Sequence, residues 1–136
     1  MNAKDTAQQV LDKYPSAKAH EFRGEHTVVV ALDDLRAVME FCFKDLGLNF
    51  LIDASSVDNM GEDPRFEVVY ELATLDDSDH LRVKASVADA QEVPTVSDIW
   101  ATADWHEREI YDMMGIKFAG HPDLRRILMW EGYPYF

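Results

Sequence analysis

The stretch Phe66-Glu67-Val68-Val69-Tyr70-Glu71-Leu72-Ala73-Thr74 alternates, with Phe66, Val68, Tyr70 and Leu72 on one side and Glu67, Val69 and Glu71 on the other. A period of two marks a strand half-buried in a sheet. After the turn Asp76-Asp77-Ser78-Asp79 the pattern returns in Leu81-Arg82-Val83-Lys84-Ala85-Ser86-Val87. There Leu81, Val83, Ala85 and Val87 point inward, and Arg82, Lys84 and Ser86 outward. The outer face of the first strand is acidic and that of the second basic. Opposite charges across an antiparallel pair contribute roughly 0.2–1 kcal/mol each, so the two strands are expected to form a hairpin.

Upstream, Asn49 to Val57 reads as a further strand, joined to the hairpin by the loop Asn59 to Pro64. Before it, Leu35, Val38, Met39, Cys42 and Leu46 recur at helical spacing. Asp33 or Asp34 is expected to cap the start of that helix, and Gly47 to end it. Ala17 to Arg23 and Thr27 to Leu32 read as two strands around a turn at Gly24-Glu25. Ala7, Val10, Leu11 and Tyr14 mark a helix from about Asp5 to Lys13, stopped by Pro15. The order is helix, two strands, helix, three strands, then helices. The expected fold class is α+β: a single domain with a mainly antiparallel sheet, helices packed on one face, and a C-terminal helix plus extended arm. The expected division is an α+β domain over residues 1–120 and a docking arm over 121–136.

A chain of 136 residues suits one core. Its 26 acids against 13 bases, a formal net charge of -13, disfavour nucleic acid and anionic lipid as partners. The longest apolar runs, such as Val28 to Leu32, fall far short of the roughly 20 residues of a membrane-spanning helix. Met1-Asn2-Ala3-Lys4-Asp5 lacks the apolar core of a signal peptide. The expectation is a soluble, cytoplasmic protein. Lys117, Arg125 and Arg126 lie near the C-terminus while acids crowd Asp53 to Asp79, so one end suits an acidic partner. The single cysteine, Cys42, forms no internal disulfide and cannot hold an iron–sulfur cluster, which needs about four Cys ligands. On its apolar stripe it reads as a small core residue.

From Pro94 onward the character changes. Thr95-Val96-Ser97-Asp98 has the form of a capping box, with Ile99 and Trp100 following in a short helix. A second helix runs from Ala103 to Met114, with Gly115 as its terminator. Ala103, His106, Ile110, Met113 and Met114 form its apolar stripe. Trp105, Arg108, Glu109 and Asp112 share another, outward face, on which Arg108 and Asp112 are four apart and able to pair. A large aromatic beside Arg is typical of interface centres. The triplet Glu107-Arg108-Glu109 therefore reads as a recognition surface rather than a catalytic group.

Catalytic alternatives find little support. His106-Glu107 begins like the zinc pattern His-Glu-x-x-His, but Ile110 stands where the second His belongs. A stand-alone metal-dependent hydrolase would have to use Glu109, Asp112, His106 and His121, and a helix presents His106 and Glu109 together poorly. The acidic loops Asp53, Asp58, Glu62 and Asp63, and Asp76 to Asp79, lack calcium-loop spacing and read as solvated. No catalytic, cofactor-binding or metal-binding residue is assigned. Leu124 to Trp130 mixes bases with apolar residues, and the aromatic end Gly132-Tyr133-Pro134-Tyr135-Phe136 suits an arm docked on a neighbour.

Over Trp100 to Leu128 the chain resembles the 30-kDa subunit family of respiratory complex I, the proton-translocating NADH–quinone oxidoreductase. The family's spaced pattern is met by Glu107-Arg108-Glu109, Asp112, Met113-Met114, His121, Arg125 and Ile127-Leu128, preceded by Trp100 and Trp105. The resemblance implies a non-catalytic hydrophilic scaffold in the peripheral arm, on the cytoplasmic side of the inner membrane. It would dock on the 49-kDa subunit and its peripheral-arm neighbours, and support electron transfer from NADH to quinone. No cofactor is expected in this chain; FMN and iron–sulfur clusters are expected on other subunits. Trp105, Arg108, Glu109, Asp112, His121, Arg125 and Arg126 are the expected partner interface. Related subunits play the same scaffold role in membrane-bound NiFe-hydrogenases and other complex I-like oxidoreductases, and the motif does not separate these. Family members usually carry a basic, Pro-containing tail beyond this region, whereas Phe136 is the last residue here.

Overall fold

The structure, a computed structural model, describes residues 3–59, 61, 64–76, 79–88, 91–122 and 124. Helix α1 (Ala3–Lys13) buries Ala7 and Val10. Strands β1 (Lys18–Phe22) and β2 (Glu25–Val30) follow as an antiparallel pair. Their turn is Arg23-Gly24, one residue earlier than expected. Both residues have positive φ, 52° and 81°, the conformation whose twist suits a two-residue hairpin.

Helix α2 (Leu32–Lys44) buries Leu35, Val38, Met39 and Cys42. The expected carboxylate cap does not form: Ala31 is the N-cap and makes no side-chain capping bond. The helix starts early enough that Asp33 and Asp34 lie inside its first turn, where negative charge favours the helix dipole. Asp34 instead accepts a hydrogen bond from Ser16 Oγ at 3.1 Å. Past the helix, Gly47 takes a left-handed φ of 71°, and the Leu48 N–H closes onto the Cys42 carbonyl at 3.0 Å. Burial pushes the Cys42 thiol up to about 12, so it is a thiol and not a nucleophile at neutral pH.

Strands β3 (Phe50–Asp58), β4 (Phe66–Ala73) and β5 (His80–Val87) complete a five-stranded sheet in the order β1-β2-β5-β4-β3. The β4–β5 hairpin forms in the expected alternation. Glu71 lies opposite Arg82, and the Arg82 Nε donates to Glu71 Oε1 at 2.5 Å. Three of the four pairings are antiparallel, but β2 and β5 run parallel at the centre. The sheet is therefore mixed. The chain crosses from β2 through α2 and the β3–β4 pair before β5 returns beside β2, and such a crossover leaves the joined strands parallel.

All three helices contribute to one core. α1 packs on β1, β2 and β5, and α2 on β2 and β5. The opposite face carries Glu71, Arg82, Lys84 and Glu67. Two acids expected in solvated loops have defined partners. Asp58 forms a two-bond pair with Arg65, at 2.8 and 2.9 Å. Asp79 is buried and accepts from Thr6 Oγ1 across 73 residues of sequence.

Beyond the sheet come β6 (Val93–Pro94), helix α3 (Ala103–Met114) and β7 (Phe118–Ala119), with β6 and β7 paired in parallel. α3 packs on the edge strand β3. Between β6 and α3 the chain makes turns, not the expected short helix. The capping box fails because Asp98 is taken elsewhere: Arg36 on α2 donates to both its oxygens at 2.6 Å. Trp100 is buried, stacked edge-on against Phe43 at 5.6 Å, and its Nε1 donates to the Leu48 carbonyl at 3.3 Å. Among the described residues, no helix is long and apolar enough to cross a membrane.

Candidate partner interface on the third helix

The inward stripe of α3 runs through Ala103, Glu107 and Ile110, with Asp112 also buried. It does not run through His106 and Met113 as expected. Met113 is 51 % exposed, and His106 lies at the edge, its Nδ1 3.4 Å from Asp53 Oδ1. Spacings of four and three from Ala103 through Glu107 to Ile110 are as helical as those of the expected stripe. Polarity by itself puts the acid outside; the fold puts it inside.

Glu107 is fully buried. Its Oε1 accepts from Thr95 Oγ1 at 2.5 Å and its Oε2 from the Val96 N–H at 2.8 Å. Arg36 grips the same turn from α2, donating to the Thr95 carbonyl at 2.7 Å and to Glu40 at 3.0 Å. Residues 95–98 are thus clamped from two helices. Burial pushes the Glu107 carboxyl above the usual carboxylate range, against the opposing pull of its Thr95 and Val96 hydrogen bonds and of His121. The Tyr70 hydroxyl, on β4, is buried without a hydrogen-bond partner among the described residues. Burial, and after it the charge of Glu107, raises its pKa.

The structure places five of the seven expected interface residues, in two different settings. Trp105, Arg108 and Glu109 face outward: Trp105 is 51 % exposed and the other two are half-buried. The Trp105 Nε1 donates to Glu109 Oε1 at 3.1 Å, and the Arg108 guanidinium sits 5.8 Å from the indole centroid. The indole is thus held by a neighbour on each side. Asp112 is only 1 % exposed, so it is not on the outward face. Helical rotation alone does not put it there: seven residues on from Trp105 is about 700°, within about 20° of the Trp105 direction, so its burial comes from what packs over that end of the helix and not from the inward stripe. The His121 side chain is also fully buried, with Nε2 2.9 Å from Asp104 Oδ1 and 3.9 Å from Glu107 Oε1. Arg125 and Arg126 lie outside the described residues.

The residues of the metal-hydrolase alternative are not brought together. Glu109 is engaged by Trp105 and His121 by Asp104, and His106 neighbours Asp53. Among the described residues, no group of three or more His, Cys, Asp or Glu side chains is arranged to hold a metal ion. One cavity of about 170 Å³ lies among Phe66, Met114, Ile116 and Lys117, and another of about 500 Å³ lies beside Arg36, Thr95 and Asp98.

Comparison with known proteins places the chain by family and by fold. An NADH-quinone oxidoreductase subunit from Geotalea uraniireducens is 46 % identical over 132 residues, covering 93 % of this chain and 80 % of its own. Its namesake from Geobacter metallireducens is 48 % identical, covering 84 % of this chain and 74 % of its own. In the solved structure described as the membrane-bound sulfane sulfur reductase, an archaeal respiratory membrane complex, one chain superposes with a TM-score of 0.80. It covers 96 % of this chain and 78 % of its own at 24 % identity, which establishes a shared fold. The family described as respiratory-chain NADH dehydrogenase, 30 Kd subunit, matches residues 28–136. The chain belongs to that 30-kDa subunit family.

Proposed function

We propose that this chain is the 30-kDa scaffold of an NADH-quinone oxidoreductase, docking on the 49-kDa subunit in the peripheral arm at the cytoplasmic face of the inner membrane. In this reading the chain carries no redox group. FMN and iron–sulfur clusters reside on other subunits, and the chain supports electron transfer from NADH to quinone by holding those subunits in place. The observation that carries the docking role is the outward ridge of α3. Trp105 stands half-exposed, with Glu109 accepting from its indole and Arg108 over its ring. Burying an aromatic on association costs less when its rotamer is already held, and Trp and Arg lead the residues that dominate binding energy.

The test is Arg108→Ala and Trp105→Ala in the full complex. Each variant chain is expected to fold as the parent does, since neither side chain is in the core. Each is expected to weaken assembly by about 1–3 kcal/mol, read as reduced recovery of intact complex and of NADH:quinone activity. Normal assembly and activity with both variants would overturn the docking role.

A further inference from the structure

Helix α3 alternates its allegiance residue by residue. Asp104 and Glu107 point toward His121, while Trp105, Arg108 and Glu109 point outward. Residues three apart share a ridge, and neighbouring ridges are separated by one residue's rotation, about 100°. Whatever holds 104 and 107 therefore sets the rotation of 105, 108 and 109.

One imidazole touches both residues. The His121 side chain is fully buried, with Nε2 2.9 Å from Asp104 Oδ1, 3.3 Å from the Asp104 carbonyl and 3.9 Å from Glu107 Oε1. The Asp104 carbonyl can only accept, so the tautomer that makes this hydrogen bond is the one with its proton on Nε2. His121 arrives there by a tight path. β7 pairs with β6, the Thr95 N–H donates to the Ala119 carbonyl at 2.9 Å, and Gly120 turns the chain at a φ of +82°. A Cβ on Gly120 would also meet Thr95 Cγ2 at 3.4 Å. Glu107 bonds the facing turn at Thr95 and Val96. The ring of contacts from Thr95 through Glu107 and His121 to Ala119 and back is closed.

We propose that His121 is a latch: by fastening the 118–122 turn to Asp104 and Glu107 on α3, it sets the rotation at which Trp105, Arg108 and Glu109 are presented, and so regulates docking without touching the partner. The presentation half of this proposal rests on the docking role above; the latch half does not. His121 is a positioning residue, and Arg125 and Arg126 follow it by four and five positions.

The test uses the full chain with His121→Ala and His121→Gln, because a glutamine amide can donate from nearly the same place. Amide hydrogen exchange on the isolated chain is the first readout. His121→Ala is expected to speed exchange in residues 95–97 and 116–122 by about tenfold, from the loss of the buried imidazole with its hydrogen bond to the Asp104 carbonyl. β4 and β5 should keep their protection, and His121→Gln should restore most of what the alanine variant loses. The second readout is rebinding to complex stripped of this subunit, where His121→Ala should weaken affinity about tenfold and His121→Gln should recover it. Unchanged exchange in 95–97 and 116–122, or equal loss across the whole sheet, overturns the latch. Faster exchange with unaltered rebinding overturns the control of presentation. Arg108→Ala separates the two ideas: if it rebinds normally the docking ridge is wrong, whereas the exchange result for His121→Ala stands by itself.

Discussion

In strands β4 and β5 every buried side chain is apolar except for the Tyr70 hydroxyl, whereas between residues 93 and 122 the buried set includes Thr95, Glu107, Asp112 and the His121 imidazole. The sheet is held by area removed from water, a force without direction. The C-terminal clasp is held by area and by directed bonds, each of which has a named donor and acceptor. The two regions should fail differently. Truncating a core side chain in the sheet leaves a cavity, whose cost depends on how far its walls relax. Removing a partner in the clasp leaves another polar group buried and unpaired.

The clasp should be the more sensitive to single changes. Trp100→Ala removes a buried indole that both fills space against Phe43 and bonds the Leu48 carbonyl. It is expected to cost about 4 kcal/mol, measured by urea unfolding of the isolated chain. A loss below the typical core range would mean that the clasp hangs on the sheet more loosely than its burial indicates.

Glu107→Ala is expected to cost about 3 kcal/mol, from a cavity plus the stranded Val96 N–H and Thr95 hydroxyl. Glu107→Gln keeps the shape and should cost much less. It should also change the pH dependence. The folded-state pKa of Glu107 is raised, so the folded chain holds this proton more tightly than the unfolded one. The stability it contributes is full below the ordinary carboxylate value of 4.5 and is lost as pH rises through the raised value. Glu107→Gln should flatten that decline in urea midpoints taken from acid toward neutral pH; an unchanged profile would show that the buried carboxyl is not the source.

Arg36→Met tests the other clamp, with an expected loss of about 1 kcal/mol because Arg36 and Asp98 are partly solvated. Here the sign is opposite. Arg36 holds the Asp98 carboxyl below the usual range, so this stabilisation is present above the ordinary carboxylate value and disappears as pH falls through the depressed one. The variant should lose part of the parent's acid sensitivity in the same unfolding series.

The smallest effect is expected in the sheet. Glu71→Gln breaks a cross-strand pair with Arg82 on the solvent face and should cost only about 0.5 kcal/mol. A thermal or urea shift as large as that of Glu107→Ala would erase the contrast between the two regions.

Legibility divides along the same line. The β4–β5 hairpin, its charge pairing, the α2 stripe with Cys42 and the Gly115 terminator are all readable locally. A side chain's face in a strand follows from its parity alone, and Gly115 carries the left-handed φ of 75° that a helix end favours. The parallel β2–β5 pairing is not readable, because parity says which face is buried and not which strand lies alongside. Within α3, the outward placement of Trp105, Arg108 and Glu109 is readable, but the burial of Glu107 and Asp112, and of His121 beyond the helix, is not. An acid is usually outside, and only a partner brought from elsewhere can bring it in.

What the amino-acid sequence determined by itself was therefore most of the elements, the apolar face of most of these, and the family signature over Trp100 to Leu128. What only the tertiary structure decided was the fate of the charged residues in and around that signature. Arg36 meets Asp98 across 62 positions, and Glu107 meets the Thr95 turn across 12. A hydrogen bond depends on angle and tenths of an ångström at both ends, so a polar residue's role is set by whichever donor or acceptor the fold carries to it.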